Sequence, residues 1–458
     1  MTPSPTFALN LRALCVKAVA FALAFLVVIP AGNLLLAQTL TTTQLEALRV
    51  RATHALFIDS PLPPLAPKTF GNPIDATPNI RIEHITFATQ YGQRVPAIIY
   101  VPTHAHHAPA IVVVNGHGGD KSSWYAVYTG LLYASAGAVV ITYDPIGEFE
   151  RSINKFSETN EHDVLMPGLI HTERVGGLMI EDAQQALRYA ASRPEVDPTR
   201  IALAGYSMGS FHAILAAALA GPQLPKIRAL VLSGGGNLDG PNQYWDSNPK
   251  PNCQSGPYEA LNFMNSGTAD RGAVLYALRA RSGPTLILNG TEDSLITKFN
   301  ELEPFFIDLR ARIAAILGPK SGSRQNLPET LWFPGAGHRA SFMTRPAALW
   351  LNQQLHFPNW TDTQIEAFPL IRAADWVAQT GVRISHGYQV EQKEGGTLIP
   401  DLHLPGLTRT QLTAVPEAEW RANPTPYTLE GWTPHTLAAD HAATPASTAP
   451  PSLQSTHP

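Results

Sequence analysis

The chain has 458 residues, 44% of them apolar and only 15% charged, with a formal net charge of −4 and 16 histidines. Globular chains carry about 25% charged residues, so this composition excludes wholesale disorder, a coiled coil and a basic nucleic-acid-binding stripe. The length allows roughly three domains, or one large α/β domain with appendages.

In chain order, residues 1–37 come first. Arg12 and Lys17 precede an uncharged run from Ala18 to Ala37, densest in apolar residues over 18–29. That length suits a signal-peptide core, with cleavage after Ala37 and a periplasmic or secreted product that keeps no stable membrane insertion. The alternative is an uncleaved anchor, since the run approaches the spanning length of about 20 residues. Cys15 lies in this segment, so Cys253 alone would remain and no internal disulfide could form. Residues 38–79 read as a Pro-rich lead-in.

From 80 to 356, short β-rich runs alternate with helical ones. Strands are expected at 80–89, 95–101, 110–115, 138–143, 201–205, 229–233, 285–289 and 330–333. The middle runs, such as Ile111-Val-Val-Val114, are apolar throughout, as parallel strands covered on both faces require. Helices are expected over 174–192 and 208–220, and a third places Phe299, Leu302, Phe305, Leu309, Ile313 and Ile316 on one face. The fold class is α/β: a mostly parallel, doubly wound sheet with helices on both faces, whose ligands bind at the carboxyl ends of strands. Residues 234–283, with Tyr244, Trp245 and Tyr258, read as a cap-like insertion. Residues 357–433, with Trp360, Phe368, Trp376 and Tyr388, read as an extension packed on the core, and 434–458 as a disordered tail.

The strongest motif is Gly205-Tyr206-Ser207-Met208-Gly209, between the strand Ile201–Ala204 and a small-residue helix. Strand, tight turn and helix are the setting of a nucleophile elbow, in which glycines permit the cramped backbone that exposes the serine hydroxyl. A serine needs a base. His338, in Trp332-Phe-Pro-Gly-Ala-Gly-His338, follows the last strand. The base needs a carboxylate to fix its tautomer. Asp293 follows the preceding strand, with Glu292 and Asp239 as rival acids. Oxyanion donors are expected at the Met208 amide and at Gly118 or Gly119 in Asn115-Gly-His117-Gly118-Gly119. His117, Tyr206 and Trp245 are candidate substrate-binding residues, although His117 reads more readily as a packing histidine that braces the loop.

The sequence resembles bacterial α/β-hydrolases of the acetyl (xylan) esterase and dienelactone-hydrolase-like group. The resemblance rests on Asn115–Gly119, Tyr143-Asp-Pro-Ile-Gly-Glu-Phe-Glu-Arg151, Arg193-Pro-Glu-Val-Asp-Pro-Thr-Arg-Ile201, the elbow, and the turns of Asp293 and His338. It covers roughly residues 80–356 and implies the α/β-hydrolase fold and a serine esterase acting on short acyl esters, acetyl esters of carbohydrate among them. The group usually has a second glycine where this chain has Phe149. Arg151 is expected to pair with Asp144 or Glu148.

Other signals are read as bland. His104, His106 and His107 lie in a turn with no carboxylate or cysteine to complete a metal site. Cys253 sits in a Pro/Asn-rich stretch without a helical start, so a catalytic thiol is not expected. No metal or cofactor is expected, and no nucleic-acid partner; the partner is a small-molecule or carbohydrate ester. Asn289 and Asn359 head glycosylation sequons, the first too close to Asp293 to suit catalysis. Against the esterase reading stand a prolyl-oligopeptidase-type peptidase, for whose propeller the stretch 38–79 between the export segment and the first strand is too short, and a non-catalytic binding module of the same fold.

Overall fold

A computed structural model describes residues 39–157, 161–164, 172–238, 252–265, 270–297, 302–382 and 397–443. The segment 1–37 expected to direct export, Asp239, Tyr244, Trp245, Phe299, Tyr388 and the run after 443 lie outside those residues.

Nine strands form one sheet: β1 Lys68–Thr77, β2 Ile80–Ala88, β3 Arg94–Pro102, β4 Ala108–Val114, β5 Val139–Tyr143, β6 Val196–Tyr206, β7 Ile227–Ser233, β8 Thr285–Gly290 and β9 Glu329–Phe333. Their order is β1-β2-β3-β5-β4-β6-β7-β8-β9. The pairs among β1, β2, β3 and β5 are antiparallel, and from β5 to β9 all neighbours run parallel. Apolar side chains fill both faces because successive strand residues point opposite ways. Along β4, Ala110, Val112 and Val114 enter one core and Ile111 and Val113 the other. Helices Thr172–Ser192, Met208–Ala218, Arg271–Ala280 and Glu303–Leu317 cover the first core, and Trp124–Ser135 and Arg345–Leu355 the second. The chain leaves β4 toward β5 on one side, then crosses to β6 on the other. The carboxyl ends of β4 and β6 therefore flank the point where the winding reverses, and a crevice for ligands opens there.

Regular structure extends into the periphery, and two expectations there, the cap and the disordered tail, are corrected. The lead-in is structured: a helix Thr42–Ala55, opened by a Thr41/Gln44 capping box, buries Leu45 and Ala52 in the core. It is followed by β1. Gly71 and Pro73 disguise that strand in sequence, yet β1 is an edge strand with a register shift between Phe70 and Ile74, where both residues are tolerated. Within the insertion, Arg271–Ala280 is a crossover helix lying in the first core, with Ala273, Val274 and Ala277 buried. Finally, the chain past Pro434 continues a helix, Leu429–Ala443. Pro434 removes only one early hydrogen bond of that helix. Burial of Leu429 and Trp432 against Val175 and Met208, and a 2.8 Å bond from Arg174 Nε to Asp440, anchor it.

Candidate active site

Ser207 stands between the end of β6 and the helix that Met208 opens. Its backbone is at φ 53°, ψ −120°, in the sparsely populated region where strain of order 1–3 kcal/mol is stored at functional turns. Close packing explains the flanking glycines. A Cβ on Gly205 would lie 2.3 Å from the Gly209 carbonyl oxygen, and one on Gly209 2.2 Å from that of Val114. The turn is held by Ser207 N–H donating to Ser233 O (2.9 Å) and by Ser210 N–H and Oγ donating to Ser207 O (2.8 and 2.7 Å).

His338 reaches Ser207 from the loop after β9. Its Nε2 lies 2.8 Å from Ser207 Oγ and its Nδ1 2.8 Å from Asp293 Oδ2. Asp293 is fully buried, whereas the His338 side chain keeps 25% exposure, so the acid is shielded and the base opens to the crevice. Because the carboxylate accepts from Nδ1, Nε2 is left to face the hydroxyl. Of the two rival acids, Glu292 is exposed and takes no part, its amide donating to Ala336 O instead.

The surrounding expectations fare unevenly. Met208 opens the helix, so its N–H has no intrahelical acceptor and stands beside Ser207. The two loop glycines do not fit the oxyanion role expected of them. Gly119 N–H closes a turn on Gly116 O (3.0 Å), and Gly118 N–H is engaged by the buried Glu148 carboxyl. Tyr206 is not a substrate wall. It is buried, with its ring 5.2 Å from the His338 ring and 5.2 Å from Tyr125, and it supports the imidazole from behind. Trp245 lies outside the described residues. His117 Nε2 is 2.7 Å from Asp163 Oδ2 and 3.0 Å from His162 Nε2, so its ring belongs to a cluster of its own. Asn289 is buried with its amide on Gly235 O (3.0 Å), which closes that sequon to a glycan.

Beneath the loop after β4 lies a charge network that sequence spacing did not reveal. Lys121, fully buried, pairs with Asp144 and with Glu150 (2.6 Å). Burial pushes Asp144 up to about 7, the Lys121 ammonium pulls it back, and the Asp120 and Glu150 charges push it up again. Arg151 does not form the ion pair expected with Asp144 or Glu148. It turns to Asp182 on the helix Thr172–Ser192 and gives Asp144 only a 3.4 Å bond to its carbonyl oxygen. Phe149 does adopt the left-handed backbone, φ 44°, that a glycine would take in its place. Its buried ring is clamped by cations, with Lys121 Nζ 4.2 Å and Arg409 Cζ 3.7 Å from the centroid.

Residues 70–231 match the family model of acetyl xylan esterase (AXE1). Similar solved structures include a putative acetyl xylan esterase from Bacteroides fragilis (15% identity, 64% of this chain and 74% of that one, TM-score 0.46). Another is acetyl xylan esterase 1 from Thermoanaerobacterium (15% identity, 70% and 100%, TM-score 0.41). A third is a glucuronoyl esterase from Solibacter usitatus (15% identity, 65% and 88%, TM-score 0.46). No curated protein sequence matches the chain. Among the described residues no helix is long and apolar enough to cross a membrane. The chain is thus similar to the acetyl xylan esterases over residues 70–231, and it carries a mostly parallel sheet with helices on both faces.

Proposed function

We propose that the protein is a serine esterase that removes short acyl groups, acetyl foremost, from carbohydrate esters through an acyl-enzyme. One observation carries the reading: His338 touches Ser207 through one ring nitrogen and buried Asp293 through the other, each at 2.8 Å. In this mechanism Ser207 Oγ attacks the ester carbonyl while His338 Nε2 takes its proton. The Met208 N–H donates to the developing oxyanion, and His338 returns the proton to the departing alkoxide. Water then enters, loses a proton to the same imidazole and releases the acid. Asp293 stays ionised throughout and stabilises the imidazolium. The acetyl and carbohydrate parts of the proposal lean on the family match alone. A polymeric carbohydrate ester is met outside the cell, in keeping with the export segment expected at 1–37.

The test is a rate profile over p-nitrophenyl acetate, butyrate and octanoate, acetylated xylan and an aminoacyl-p-nitroanilide, with Ser207→Ala alongside. The proposal expects a maximum at acetate and deacetylation of xylan, both lost in the variant. A maximum at octanoate, faster cleavage of the anilide, or full activity in the variant would overturn it.

A further inference from the structure

Behind the nucleophile's turn, three distant parts of the chain bring four metal-binding atoms together. They are His117 from the loop after β4, His162 and Asp163 from the turn of helix Glu161–Val164, and Cys253 from the segment before the helix Ser255–Ala260. One ligand atom from each lies within 4.8 Å of all the others. His162 and Cys253 are buried, and the His117 and Asp163 side chains keep only 27% and 17% exposure. We propose that these four side chains form a structural site for a transition-metal dication, Zn2+ foremost, which ties the three segments together beside the Ser207 turn.

The arrangement argues against a second catalytic relay. In a relay, acid and nucleophile take opposite nitrogens of one imidazole. Here the carboxylate (2.7 Å), the second imidazole (3.0 Å) and the thiol (3.8 Å) all converge on the same atom, His117 Nε2. Convergence of four donors on one point is what a central cation requires. A tetrahedral zinc at about 2.0–2.3 Å from each donor sets donor atoms roughly 3.3–3.8 Å apart. The two shortest separations would thus open by roughly half an ångström around the ion.

The residues behind the donors are also placed for metal. His162 Nδ1 donates to Ile146 O (2.9 Å), so its Nε2 carries the lone pair and faces the cluster. Asp163 Oδ1 accepts the Cys253 N–H (2.9 Å), which leaves Oδ2 pointing inward. The Cys253 carbonyl meets His212 Nε2 (3.1 Å), fixing the backbone that carries the sulfur. Cys253 Sγ lies 3.5 Å from Met208 Sδ, next in sequence to Ser207. The donor set names the metal. Two imidazoles and a thiol favour zinc over magnesium or calcium. A thiolate and a carboxylate cancel the charge of a dication, so the occupied site is neutral and can stay buried. With all four positions filled from the protein, the ion has a holding role and no open position for substrate.

The site bears on the esterase reading only through position, and its test does not depend on activity. The untagged full chain, produced in zinc-supplemented medium, is assayed for bound zinc by elemental analysis and reconstituted with Co2+. The expected result is one zinc per chain, with a thiolate-to-cobalt charge-transfer band that vanishes in Cys253→Ser. His162→Ala should bind zinc at least about tenfold more weakly. Chelation of the wild-type chain should lower its Tm, and zinc should restore it, a readout that needs no variant to fold. Ser207→Ala should keep its zinc. Less than a tenth of an equivalent of zinc in the wild type would overturn the proposal, as would a cobalt spectrum indifferent to Cys253→Ser or a Tm indifferent to chelation.

Discussion

His338 and His117 make contrasting sets of contacts near the Ser207 turn. His338 is bridged, one nitrogen on Ser207 and the other on Asp293, so a proton can pass along it. His117 is focused, with carboxylate, imidazole and thiol gathered at a single nitrogen. Both pair a histidine with a carboxylate near a potential nucleophile, and residue type alone would not tell them apart. What separates them is which atom meets which, and whether the partner stays in contact with solvent. The thiol of Cys253 is pushed well up by burial and by the Asp163 charge, so without a metal it is no nucleophile.

The comparison can be broken most sharply at Ser207. Ser207→Ala should lower kcat by about 10⁵–10⁶ while leaving zinc content unchanged; steady-state kinetics and elemental analysis on one preparation check both halves. Asp293→Asn should cost about 10⁴ in kcat with little change in KM, because the amide fixes the wrong imidazole tautomer. An equal loss in KM would mean that Asp293 shapes the pocket instead. Further from both histidines, Phe149→Gly relieves a strained φ but deletes a buried ring between two cations. The packing loss should win, lowering stability by about 2–4 kcal/mol in a denaturant titration.

The smallest effect concerns pH. Glu181, on the helix Thr172–Ser192, accepts from Asp59 N–H (2.9 Å) and Gln90 Nε2 (3.1 Å), and burial, with the Asp59 charge, pushes it up to about 8 from 4.5. Between those values the folded chain holds a proton that the unfolded chain has lost. Stability is therefore full below pH 4.5 and declines as pH rises toward 8, by at most about 1.4 kcal/mol per pH unit. Glu181→Gln should flatten that part of the stability profile without touching the rates. An unchanged slope would place the buried proton elsewhere, Asp144 being the next group to test.

The chain-order signals that pointed to Ser207, Asp293 and His338 are local: a glycine-framed turn after an apolar strand, then a turn after each of the last two strands. Topology does the rest, since parallel strands bring all their carboxyl ends to one edge. Where a partner is decided by three-dimensional packing, sequence is silent. Nothing near Arg151 in sequence announces Asp182, and nothing near His117 announces Cys253, 136 residues on. The Gly118 and Gly119 amides looked suited to an oxyanion because two glycines permit close approach. Their own acceptors, Glu148 and Gly116, appear only once the loop is folded. At the C-terminal edge, the Pro-rich composition reads as a tail from residue 434, and a buried Trp432 anchors a helix through it.

The central claim is that Ser207 is the activated nucleophile, and the most direct test is labelling with a fluorophosphonate followed by peptide mass mapping. One adduct per chain is expected on Ser207, absent in His338→Ala and unaffected by chelation of zinc from a chain that stays folded. An adduct on another residue, or an active esterase that takes no label at Ser207, would contradict it.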